Sequence, residues 1–268
     1  MGQRTLSGEA HEGWFIPYRH AVESDDRRTN AVLLDQFAAW TSAFTEILES
    51  IAKHRNGLLA IGISDAAPGP RWDQDWFAGL DAAAAYALVA EYRPGKIVEV
   101  GSGHSTRFMT RAISDGGLNC NFTSIDPAPR ADISALPVDL IQSVVQDADR
   151  GLFNGFQAGD VLFIDSSHIL MPGTDVDLLF GEVIPSLPAG ALVHVHDIFL
   201  PFAYPTEWQL RGYNEQNALA PMIAGGMLKP LLPCQYVVRE MADAYDRHCG
   251  FIPRPRPNHD ASMWLMRC

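Results

Sequence analysis

The chain has 268 residues, 47% hydrophobic and 19% charged, enough apolar material for one large α/β domain or for one domain with an N-terminal extension. Its formal net charge of −12 argues against non-specific binding to nucleic acid or to an anionic membrane surface, and no apolar run is long enough to span a bilayer. The first twenty residues lack the charged-then-apolar order of a signal peptide. Cys120, Cys234, Cys249 and Cys268 form no CxxC pair, which points to free thiols and a cytoplasmic protein.

Residues 1 to about 30 place Trp14, Phe15 and Tyr18 among Arg19, Arg27 and Arg28 without a clear period. They read either as an arm over the site or a partner subunit, or as a mobile terminus. From Ala31 to His54 the residues Leu33, Leu34, Phe37, Trp40, Phe44, Ile47, Leu48 and Ile51 recur at helical spacing. One amphipathic helix is predicted there, closed by Gly57. A loop follows over 66–71. Asp75 is then placed as the cap of a helix running through Trp76, Leu80, Ala84 and Leu88 to Tyr92, ended by Arg93-Pro94-Gly95. The predicted division is an N-terminal arm and helical extension over 1–74 and a Rossmann-like domain over 75–268. The helical extension offers a surface for homo-oligomer formation.

Ile97 to Val100 is a continuous apolar run interrupted by one acid, as expected of a strand buried on both faces. Gly101-Ser102-Gly103 makes a tight turn, and Phe108, Met109, Ala112 and Ile113 place a helix from Ser105. Free N–H groups at that helix start favour an anionic or carboxylate-bearing ligand. Thr106 stands where the dinucleotide fingerprint has its third glycine, which weakens a nicotinamide reading. A second strand, 122–125, ends at Asp126, a position where a carboxylate hydrogen-bonds a ribose. Further strands are predicted over 138–145, 159–165 and 191–196, with a helix over 175–184. The last two strands are placed at 231–238 and 261–266. Strand–helix alternation implies parallel crossover units whose strand ends bear Asp126, Asp165 and Asp197 on one edge, where ligands of such sheets bind.

Val98-Glu99-Val100-Gly101-Ser102-Gly103 resembles motif I of class I S-adenosylmethionine-dependent methyltransferases. The resemblance implies a doubly wound α/β sheet, mostly parallel with one antiparallel strand, and S-adenosyl-L-methionine as cofactor. In that family the acid meets the methionine end of the cofactor and the glycines pass beneath it. Glu99, Gly101, Ser102, Gly103 and Ser105 are accordingly the expected cofactor residues, with Asp126 at the ribose, Asp147 at the adenine amine and Asp165 nearby. Phe163-Ile164-Asp165 and His194-Val195-His196-Asp197 resemble the small-molecule branch linked to natural-product and sugar metabolism. Relatives there place a metal between acids at these two strand ends, where it positions a hydroxyl. His196 departs from that pattern by standing where an acid pair would begin.

Carboxylates and imidazoles together suit a divalent ion, Mg, Mn or Fe, held by Asp165, His196 and Asp197. His168 and His196, with Asp165, are the catalytic candidates, either histidine serving as general base. A core role for one or both histidines is the structural counterpart. The expected function is methylation of a small molecule, at oxygen. The alternatives are a non-heme metal enzyme using two histidines and one carboxylate, and a non-catalytic cofactor-binding scaffold. Phe202, Tyr204, Trp208 and Tyr213, in a segment resembling a lid, imply a partly apolar or planar acceptor, with Arg211 available to an acid group on it.

Overall fold

The apolar runs of the sequence pair into one sheet. The computed structural model describes residues 4, 7 and 9 and residues 29–268 except 258; the expected arm with Trp14, Phe15, Tyr18, Arg19, Arg27 and Arg28 lies outside the described residues. The strands are β1 (Lys96–Val100), β2 (Asn121–Ile125), β3 (Asp139–Ile141), β4 (Val161–Ile164), β5 (Leu192–Val195), β6 (Leu228–Pro233) and β7 (Met263–Arg267). Their order is β3-β2-β1-β4-β5-β7-β6. β1 to β5 are mutually parallel and β7 runs antiparallel to both β5 and β6. This is the expected doubly wound sheet, mostly parallel with one antiparallel strand. Every residue of β4 and β5 is buried, as parallel strands covered on both faces require. The chain winds outward in one direction from β1 and in the other from β4. A crevice therefore opens between their carboxyl ends, the usual ligand position in such sheets.

Two N-terminal helices replace the single one expected. α1 (Ala31–Ala39) and α2 (Thr41–Lys53) are separated at Trp40, whose backbone (φ −107°, ψ 10°) leaves the helical region. α3 (Arg55–Leu59) continues past Gly57 instead of ending there. Gly57 faces Tyr86, and a Cβ would stand 2.3 Å from its hydroxyl oxygen, so this glycine serves a close approach. Leu33, Phe37, Phe44, Leu48 and Ile51 are fully buried and belong to the same apolar core as the sheet. α4 (Gly79–Tyr92) begins three residues later than expected. Asp75 caps nothing and is exposed beside Arg256. Two buried acids instead fix the start of α4 to the approach of β7. The Asp260 carboxylate accepts from the Leu80 N–H (2.7 Å), and that of Asp81 accepts from the Ala261 and Ser262 N–H groups (2.9 Å each). From Gly79 to Val89 the helix is buried all round, which its alanine-rich sequence permits.

α5 (His104–Asp115) opens at the glycine turn as expected. β3 is shorter than its apolar run because it is an exposed edge, with Leu140 on its surface. The helix expected over 175–184 forms in three joined pieces: α6 (Asp175–Leu178), a π-helical turn (Leu179–Val183) and α7 (Ile184–Ser186). After β5, a 3₁₀ turn (Thr206–Arg211) leads to α8 (Glu215–Ala224). The strand predicted over 231–238 is corrected at both ends. β6 starts at Leu228, and after Pro233 the chain turns into α9 (Cys234–Glu240). Tyr236 of α9 packs edge-on against Phe37 and Phe44, so its apolar residues cover the N-terminal helices instead of pairing in the sheet. α10 (Ala242–Cys249) follows. Among the described residues no helix is long and apolar enough to cross a membrane.

Gly101 sets the spacing of the crevice. Its φ is 86°, and a Cβ there would lie 1.9 Å from the backbone carbonyl oxygen of Asp165. Gly101→Ala combines left-handed strain with a clash against backbone that cannot swing aside. It is expected to cost about 2 kcal/mol or more and to lower the thermal unfolding midpoint by about 5 °C or more. An unchanged midpoint would show that the two turns are not in contact.

Candidate functional site

The turns after β1 and β2 are tied into one unit by a carboxylate. The Ser102 N–H and hydroxyl both donate to Asp126 Oδ2 (2.8 Å each), and the Ala128 N–H donates to Oδ1 (2.8 Å). Behind the turn lies Glu99, fully buried. The Ser105 hydroxyl donates to its Oε1 (2.6 Å), and those of Thr106 (2.7 Å) and Ser124 (2.9 Å) donate to Oε2. Thr106 Oγ1 in turn accepts from the Gly103 N–H (2.9 Å). Burial outweighs these three hydroxyls and raises the Glu99 carboxyl to about 7. Glu99 thus joins β1, β2 and the start of α5 from the inside, and it lines neither cavity described below.

A cavity of about 1110 Å³ opens at the carboxyl ends of the strands. Gly101, Ser102, Asp126, Asp165, His168, His196 and Asp197 are all on its wall, with Gln146, Trp208, Arg211 and Tyr213. A second cavity of about 120 Å³ is lined by Ser102, Gly103, Ser105 and Asp165, among others. A Cβ on Gly103 would meet nothing closer than 4.0 Å, so that position is open to a ligand. Asp147 is exposed and reaches neither cavity; its neighbour Gln146 does. Of the lid aromatics, Trp208 and Tyr213 reach the cavity, while Phe202 is buried under the Arg239 guanidinium, 3.9 Å from its ring centre.

His168, in the left-handed region at φ 63°, follows β4, and Asp197, at φ 55°, follows β5. His168 Nδ1 lies 2.5 Å from Glu215 Oε1, and its Nε2 lies 3.5 Å from both Asp165 Oδ1 and Asp197 Oδ2. His196 Nδ1 lies 3.5 Å from Asp165 Oδ1 and 3.4 Å from Asp197 Oδ1, with Nε2 3.4 Å from Asp81 Oδ2. The two imidazoles therefore face the same two acids from opposite sides, each backed by a further buried acid. Burial pulls His168 down, but Glu215 and then Asp165 and Asp197 outweigh it and hold the ring at about 9. His196 is likewise depressed by burial and carried well above its ordinary value by Asp165 and Asp197. Burial opposes ionisation of Asp165, yet His196 and then His168 hold its carboxyl below the usual range. Burial raises Asp197 and Glu215, partly offset by these histidines.

His194 takes the core role. It is fully buried, stacks on Phe163 (centroids 3.7 Å, 12°), and its Nε2 is 2.8 Å from Ser262 Oγ. Its ring and that of His196 share one face of β5, as two-residue alternation predicts. Among the described residues no group of three or more His, Cys, Asp and Glu side chains is arranged to hold a metal ion. The expected set of Asp165, His196 and Asp197 is brought together, with His168 beside both acids. Glu215 and Asp81 were missed by sequence reasoning. Each lies in the first turn of a helix, where an acid is ordinary and usually exposed.

Residues 98–198, from within β1 to just past β5, match the family model described as Methyltransferase domain. None of the curated proteins matches the chain. Similar solved structures include the SAH-bound Podospora anserina methyltransferase PaMTH1, 14% identical over 96% of this chain and 99% of that one, with a TM-score of 0.45. Another is cmcI with Mg and SAM, 14% identical over 76% and 81%, at 0.44. A third is the plantazolicin methyltransferase BpumL with a pentazolic desmethylPZN analog and SAH, 15% identical over 69% and 83%, at 0.42.

The folded chain keeps the Glu99 proton up to about pH 7, whereas an unfolded chain releases it in the ordinary carboxyl range. Folded protein therefore binds more protons between those limits, and stability falls as pH rises through them. This residue's share of the loss between pH 4 and pH 8 is up to roughly 3 kcal/mol. Urea unfolding across that range should show Glu99→Gln with a shallower decline than the wild type. Equal declines would mean that Glu99 ionises as freely in the fold as outside it.

Proposed function

We propose that this methyltransferase domain binds S-adenosylmethionine across the β1–β4 crevice and methylates a hydroxyl group of a small molecule, with His168 as general base. The observation that carries this reading is one cavity with the Gly101–Ser102 turn, Asp126 and His168 on the same wall. Its volume of about 1110 Å³ reaches the upper end of single-ligand pockets, leaving room for a cofactor and an acceptor together. S-adenosylmethionine supplies an electrophilic methyl group on a sulfonium.

Asp126 already accepts three hydrogen bonds and keeps about one of its four lone-pair positions for a ribose hydroxyl. Gly103 leaves space beside the turn. Gln146 takes the role expected of Asp147. Its Nε2 donates to the Gly173 carbonyl (3.1 Å), which leaves Oε1 to accept from an adenine amine.

His168 Nε2 accepts the acceptor hydroxyl proton as the new C–O bond forms and the C–S bond breaks. In the free site His168 rests as imidazolium, since its value is about 9. It loses that proton more readily when a sulfonium shares the cavity, like charges disfavouring each other. Trp208 and Tyr213 offer flat faces to the acceptor, and Arg211, 3.8 Å from the Trp208 ring centre, can meet an acid group on it.

Calorimetric titration with S-adenosylmethionine should give micromolar binding that is unchanged by EDTA and weakened at least about tenfold in Asp126→Ala. No binding in any condition would remove the reading. In a screen of hydroxylated small molecules followed by S-adenosylhomocysteine release, turnover should rise with pH toward about 9, the value held by His168. His168→Ala should bind cofactor normally and transfer methyl about 10²-fold more slowly. Turnover lost on EDTA treatment and restored by Mg²⁺ would require a metal in the step.

A further inference from the structure

We infer that Glu215 is the positioning residue of His168, fixing which ring nitrogen faces the acceptor; this rests on the proposed role of His168 as base. Glu215 opens α8 yet is fully buried, where a carboxylate is costly unless a specific partner holds it. Its Oε1 meets His168 Nδ1 at 2.5 Å, and its Oε2 has no hydrogen-bond partner. A carboxylate accepts and does not donate, so Nδ1 must carry the proton of the neutral ring. Nε2, the atom facing Asp165, Asp197 and the cavity, is then left with the lone pair.

The neighbouring residues hold the same loop by other means. The Tyr213 ring lies over His168, with centroids 4.4 Å apart and planes at 37°. The Asn214 N–H donates to the His168 carbonyl (3.1 Å). The Asn214 side chain exchanges hydrogen bonds with Leu170, accepting from its N–H at 2.6 Å and donating to its carbonyl at 3.3 Å. These contacts sustain the left-handed backbone of His168. Gln216 extends the clamp to the loop after β5, accepting from the Phe199 N–H (3.0 Å) and donating to the Phe202 carbonyl (3.3 Å). One stretch, 213–216, thereby sets both strand-end loops. Within it only Glu215 touches an imidazole nitrogen, and at 2.5 Å it is nearer its nitrogen than Asp165 and Asp197, at 3.5 Å, are to theirs.

Glu215→Gln is the discriminating variant. It keeps the shape but can donate to Nδ1, which places the proton on Nε2 and disables it as an acceptor. The expected result is a fall in kcat of about 10²-fold, with KM and cofactor affinity within about twofold of wild type. Glu215→Asp, which restores an acceptor-only group, should recover part of the loss. It also carries the comparison if the glutamine variant does not fold. The double variant His168→Ala/Glu215→Gln should be no slower than His168→Ala alone, since Glu215 acts through the ring. Unchanged kcat in Glu215→Gln beside an impaired His168→Ala would overturn the positioning role and leave the base role standing. A double variant slower than His168→Ala by the full Glu215→Gln factor would also overturn it, because a merely structural contribution acts independently. Wild-type turnover in His168→Ala would overturn the proposed function itself.

Discussion

The close passage of Gly101 beside the Asp165 carbonyl is the constraint on which the site depends. It brings the turn after β1 against the turn after β4 at the place where the sheet changes winding direction. No side chain larger than hydrogen fits between them. The same carbonyl belongs to the residue whose carboxylate stands between His168 and His196. Backbone packing at one glycine thus sets both the floor of the cavity and the origin from which the acid–histidine cluster is built.

Motif-level reading placed the turn and not the direction of its acid. Glu99 looked like a ligand-facing group because it sits next to the glycines. The chain instead supplies three hydroxyls, from Ser105, Thr106 and Ser124, that consume its carboxylate inside the fold. Ser124 belongs to β2, so this partnership is set by parallel pairing and cannot be seen in the local sequence. Asp126 was legible for the converse reason: an acid at the end of a second strand has few places to go but the crevice. Even so, Asp126 spends most of its acceptor capacity on Ser102 and Ala128, and it acts as a brace of the turns as well as a cavity wall.

The strand order was legible because buried parallel strands announce themselves as apolar runs, and β1, β2, β4 and β5 lie within a residue or two of where those runs place them. Failures came where apolar residues serve something other than the sheet. Tyr236 and Val237 look like strand residues, yet both lie buried in α9, where Tyr236 packs on Phe37 and Phe44 of the N-terminal helices. Trp40 continues the helical period while its backbone breaks the helix. In both cases tertiary packing overrides local pattern.

The matched methyltransferase segment, 98–198, contains both histidines of the cluster and both acids that they face. The acids behind the histidines come from outside it: Asp81 from the start of α4 and Glu215 from the start of α8. Both are buried, and each is aimed at the nitrogen turned away from Asp165. Inside the segment, then, are the strand-end acids and imidazoles of the cavity wall; outside it are the acids that back those imidazoles. Tyr213, Trp208 and Arg211 of the cavity wall lie outside it too. An acceptor specificity built on this sheet can therefore change through the stretch between β5 and α8 while the turn at Gly101 stays fixed. The proposed base and the proposed acceptor wall meet at the short clamp 213–216, where Tyr213 lies over the His168 ring and Glu215 reaches its Nδ1.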